Sequence, residues 1–113
     1  MRIDLSTHQP GAWVDLREEV PFGLVKGLSN TVDSDTQQIT DLDGYTVSMV
    51  NYLVRDWHVA DVDGQPLPEP RTVTVGALEL VKIDVLRAIL DATSEILKRA
   101  QPDPNSGGVS STS

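Results

Sequence analysis

His8 and His58 are the two histidines of this 113-residue sequence, and it contains no cysteine. A catalytic imidazole needs an orienting carboxylate and, for acyl transfer, a nucleophile within hydrogen-bond reach. Asp56 and Asp61 lie near His58 in sequence, but no G-x-S-x-G elbow accompanies them, so His58 reads as a structural side chain. Asp61-Val62-Asp63-Gly64 has the opening of a calcium loop. An EF-hand requires a glutamate six residues beyond its glycine, and that position is Pro70, so the segment reads as an Asp-Gly turn. The carboxylate pairs Glu18-Glu19, Asp33-Asp35 and Asp41-Asp43 fall in polar or turn-like segments. Nothing there suggests the apolar surroundings that raise a carboxyl pKa for general-acid work. Gly107-Gly108 lacks the strand-to-helix context of a phosphate loop. Without cysteine, disulfides, thiolate metal sites and thiol catalysis are excluded. The expectation is a protein that is not an enzyme, with no cofactor, no metal ligands and no catalytic residues.

Composition narrows the partner classes. The chain carries 17 acidic and 9 basic residues, a net charge of −8, with no cluster of Lys and Arg. Phosphate-coating proteins need a basic face, so nucleic acid and anionic membranes are expected to be excluded as partners. An acidic surface favours encounters with basic protein segments. The stretch from Met1 to Pro10 has no apolar run of signal-peptide length, and no run in the chain approaches a membrane span, which predicts a soluble, intracellular protein. Leu, Ile, Val and Phe make up more than a quarter of the residues, enough for a core. The aromatic residues are Trp13, Trp57, Tyr45, Tyr52 and Phe22 alone, so that core must be aliphatic.

The elements that would position any site follow from spacing. Ile83, Leu86, Leu90 and Leu97, widened by Ile89 and Ile96, have the three-and-four spacing of an amphipathic helix over 83–100. Asp84 in its first turn and Lys98 and Arg99 in its last complement the helix dipole. Leu42, Tyr45, Met49, Leu53 and Trp57 predict a second long helix over 42–57, capped by Asp41 or Asp43. A short helix after Pro21 places Phe22, Val25 and Leu28 on one face, weakened by Gly23 and Gly27. Trp13-Val14-Asp15-Leu16-Arg17 alternates in the strand manner and can pair with Trp57-His58-Val59. Ala77 to Val81 suggests one further helical turn. The expected fold is therefore mainly α: one helical domain over 1–100 with two long helices, a small N-terminal β pairing, and a disordered Pro/Ser/Gly-rich tail over 101–113.

Taken together, Trp13-Val14-Asp15-Leu16-Arg17, the segment Trp57-x-x-x-Asp61-x-Asp63-Gly64-x-Pro66-Leu67-Pro68 and the leucine-rich final helix resemble the small tail assembly chaperones of long-tailed, siphovirus-type bacteriophages of actinobacteria. The resemblance covers roughly residues 12 to 100. It departs before the last helix, where Val81-Lys82-Ile83-Asp84 stands in place of a leucine–proline step. It implies a non-enzymatic protein of the host cytoplasm that binds the tape-measure protein during phage assembly and helps recruit the major tail protein. It also implies a frameshift-extended form. A homo-oligomer is left open. The rival readings are a structural head–tail connector or tail completion protein of the virion, and a small regulator that masks a basic target. An apolar strip left uncovered would grip a client helix. The expected partner-binding residues are Trp13, Val14 and Leu16 in the N-terminal segment and Leu86, Leu90 and Leu97 on the final helix.

Overall fold

The computed structural model describes residues 1–100; the tail expected to be disordered, 101–113, lies outside the described residues. The chain runs β1 (Arg2–Asp4), β2 (Trp13–Leu16), α1 (Phe22–Ser29), α2 (Leu42–Leu53), β3 (Val54–His58), α3 (Val75–Leu78) and α4 (Ile83–Ala100). The strands form one antiparallel sheet in the order β1-β2-β3. Val14 pairs with Ile3 on one side and Trp57 on the other, and these side chains share the inner face. The core joins Val14, Leu16, Val54 and Trp57 of the sheet to Leu24, Met49, Val50 and Leu53 of α1 and α2, and to Val85, Ile89 and Ile96 of α4.

The expectation of a mainly α fold with two long helices is overturned. Helix occupies 42% of the structure and extended pairing 16%, in four helices and a three-stranded sheet. The spacing that predicts a helix over 42–57 breaks at Val54, whose backbone is extended at φ −89° and ψ 119°. The residues from Val54 onward instead bond to β2. Asp15 faces Asp56 and Leu16 faces Val54, so Arg55 is the extra residue of a bulge. Pairing with a neighbouring strand outweighs a local helical period that β-branched residues already weaken. At the other end of α2, Asp41 accepts a hydrogen bond from the Gly44 N–H at 3.0 Å and caps the helix. The small β pairing gains a third strand, β1, which ends where Asp4 accepts the Ser6 N–H at 2.9 Å. That bond holds the Asp4 carboxyl below its ordinary pKa.

Helix α4 occupies the 83–100 range that its spacing predicts, yet it faces the core differently. Its buried line is Val85, Ile89, Thr93 and Ile96, while Leu86, Leu90 and Leu97 are half-buried on its flank and Ile83 is 61% exposed. The fully buried Thr93 hydroxyl donates to the Leu90 carbonyl at 2.9 Å, which removes the cost of placing it there.

Helix α1 packs on α2 through the two glycines that weaken its helical propensity. Gly23 and Gly27, four residues apart and so on one face, lie against α2: a Cβ built on Gly23 would stand 2.5 Å from the Tyr52 ring, and one on Gly27 2.9 Å from the Ser48 hydroxyl. The glycines are the packing surface, and Leu24 is the residue α1 buries. Phe22 and Val25 consequently face solvent, 74% and 54% exposed. An ordinary helical Gly→Ala change stabilises by up to about 1 kcal/mol. Gly23→Ala should instead cost about 1–3 kcal/mol, because the Tyr52 ring must be displaced. Gly76→Ala in α3, where an added Cβ meets nothing closer than 3.9 Å, should show the ordinary gain. Urea unfolding of the two variants measures the contrast.

Candidate docking groove

Where the β2–α1 connection passes the C-terminal end of α4, an open groove of about 620 Å³ forms. Val20 and Val25 line one wall, Ile96, Leu97 and Ala100 the other, and Met1 contributes as well. The charged side chains at the groove are Glu18 and Glu19 on the first wall and Arg99 on the second, all exposed, while the Met1 α-ammonium pairs with Asp15 at 3.3 Å. Phe22, one helical turn before Val25 on the same side of α1, extends the apolar surface beyond the groove. The wall exists because α1 turns its glycines inward. Hydrophobic surface of this kind is suited to contact with another apolar surface.

The six expected partner-binding residues do not form one surface. Val14 and Leu16 are fully buried in the core and are corrected to structural residues. Their alternation signals an inward-facing strand, which position in the chain cannot distinguish from a displayed one. Trp13 points to the opposite face of the sheet, half-buried. The Arg2 guanidinium lies 3.9 Å from its ring centroid, and the His58 ring stacks on it at 6.4 Å, inclined by 20°. Leu97 lines the groove. Leu86 lines a separate hollow of about 150 Å³ with Leu42, Val75 and Leu78, and Leu90 packs against the core between these two places. Val20 and Val25 line the groove although neither is among the six residues expected; both lie in the 13–28 segment where a client surface is expected. Their signal was the glycine pair, whose spacing marks a face of close approach.

The other chemistry-bearing residues are engaged in turns and loops. Asp61 accepts backbone N–H bonds from Asp63 and Gln65, both at 2.9 Å, and Gly64 takes φ +82°, so the calcium-like segment is a closed turn. Asp33 accepts the Asp35 N–H at 2.8 Å. The His8 carbonyl receives Lys82 Nζ at 3.3 Å. Glu18 and Glu19 are the one early-noted carboxylate pair that reaches the groove. Among the described residues no group of three or more His, Cys, Asp and Glu side chains is placed to hold a metal ion, and no helix is long and apolar enough to cross a membrane. Gly107-Gly108 lies outside the described residues.

The Trp57-to-Pro68 motif is likewise structural. The Trp57 indole N–H donates to the Pro68 carbonyl at 2.9 Å, the Leu67 N–H to the Val59 carbonyl at 3.1 Å, and Asn51 Nδ2 to the carbonyls of Pro70 and Val73. The tryptophan and the prolines therefore form one strap against α2 and β3.

No protein-family model, curated protein or solved structure matches this chain. The groove stands on its own geometry. If Leu16 is core and Val25 is surface, Leu16→Ala should cost about 2–5 kcal/mol and Val25→Asp less than about 1 kcal/mol, both read from chemical unfolding.

Proposed function

We propose that this protein is a non-catalytic chaperone of phage tail assembly, acting in the host cytoplasm, whose groove holds apolar helical segments of the tape-measure protein until the major tail protein assembles around them. The observation that carries the reading is the groove with Phe22 and Val25 exposed beside it. An amphipathic helix laid in such a groove buries its ridge as it would in a helix pair. Complete burial of the Phe22 and Val25 side chains contributes about 1.5–3 kcal/mol each before the cost of association. One groove therefore grips weakly and reversibly, which suits release on assembly, and a long client is held by many copies. The sequence resemblance supplies the identity of that client.

The three-stranded sheet favours a second reading, a structural head–tail connector or tail completion protein of the virion, since those proteins are expected to carry more strand. They work as closed rings. Co-expression with the long tape-measure protein of the same phage separates the readings. Under the chaperone reading a soluble complex elutes from size exclusion and is lost with the double variant Phe22→Asp and Val25→Asp, whose melting temperature stays near that of the parent. Co-elution unaffected by the double variant rejects the groove as the client site. A stable ring of the chain alone that is retained in the mature virion selects the connector.

A further inference from the structure

The two walls of the groove differ in charge, and that difference bears on what the groove can hold. Glu18 and Glu19 stand exposed on the β2–α1 wall, and Arg99 stands exposed on the α4 wall. Among the described residues the side-chain ion pair on α4 is Lys98 with Glu95 at 3.7 Å, while Arg99 Nε donates to the Glu95 carbonyl at 3.4 Å. Arg17 and Arg55 share an adjoining hollow with the two glutamates, yet neither comes within ion-pair distance of them. The carboxylates on one wall and the guanidinium on the other are thus open to an incoming chain.

We propose that the groove selects an amphipathic helix with lysine or arginine along one flank of its apolar ridge, the flank that meets Glu18 and Glu19, and that acidic residues on its other flank meet Arg99. The proposal rests on the reading of the groove as a client site and adds the charge pattern and the orientation of that client. Charges at the edge of an apolar contact govern orientation and rate of encounter more than raw affinity. They also disfavour the alternative occupants. A second copy brings a net charge of −8 to an acidic wall. The sequence beyond Ala100, Gln101 to Ser113, offers Val109 as its one aliphatic residue and Asp103 as its one charged side chain, the wrong composition for an apolar groove beside glutamates.

The test uses the full chain and two synthetic amphipathic helices that share one leucine ridge, one flanked by lysine and the other by glutamate, with affinity read by fluorescence anisotropy. The lysine-flanked helix should bind about tenfold tighter at low salt, with the gap closing in concentrated salt. The double variant Glu18→Lys and Glu19→Lys, which changes two exposed side chains, should reverse the order. Val25→Asp should abolish binding of both helices. Equal affinities, or an order that survives the Glu18→Lys and Glu19→Lys exchange, overturn the charge selection while leaving the groove as a binding place. Undiminished binding to Val25→Asp overturns the groove itself. A dimer in sedimentation that Val25→Asp dissolves puts a second copy in the groove and likewise overturns the proposal.

Discussion

Glycine at positions 23 and 27 lets α1 lie so close to α2 that the Tyr52 ring and the Ser48 hydroxyl occupy the space of the missing side chains. The rest of the surface follows from that approach. A helix of eight residues has few ways to face its neighbour, and here the face without side chains turns inward. Leu24 is then the residue that reaches the core, and Phe22 and Val25 are left outside. Val25 with Val20 forms the apolar part of the β2–α1 side of the groove, Phe22 extends it beyond, and the end of α4 closes the other side with Ile96 and Leu97. A small domain buries a limited share of its surface in any case. Here Phe22, Val25 and Met1 are uncovered at or beside the groove, while Ile39, Leu42, Val62, Leu80 and Ile83 are exposed elsewhere.

Much of the architecture was legible in the residues. The period over 83–100 and its charge distribution define α4, and the alternation over 13–16 defines the central strand, though not that Val14 and Leu16 face inward. The end of α2 was not legible, because Trp57 satisfies both a helical stripe and an inward strand position. Only the presence of β2 beside it decides between them. The glycine packing face of α1 is not legible for a related reason. Periodicity counts apolar side chains, and a packing face made of glycines has none to count. On α4 the centre of the buried face lies at Val85, Ile89 and Thr93. The sequence stripe reaches Ile89, Thr93 and Ile96 but centres on the leucines and omits Val85.

The motif that carries the family resemblance and the groove that carries the functional reading lie in different parts of the structure. Trp57, the Asp61 turn and the proline segment are bound to one another and to Asn51 of α2 by hydrogen bonds to carbonyls. These bonds hold an irregular stretch of chain, from Ala60 to Val73, against the core without strand or helix of its own. Such a motif is maintained by architecture. The groove is formed by residues at the surface, outside that strap.

The two tryptophans sit on opposite sides of the sheet. Trp57 is almost completely enclosed by aliphatic side chains, whereas Trp13 is half open and flanked by a guanidinium and an imidazole. Indole emission shifts to shorter wavelength in apolar surroundings. The chain therefore carries two optical reporters with separable signals, one sensitive to opening of the interior and one to rearrangement of the outer sheet.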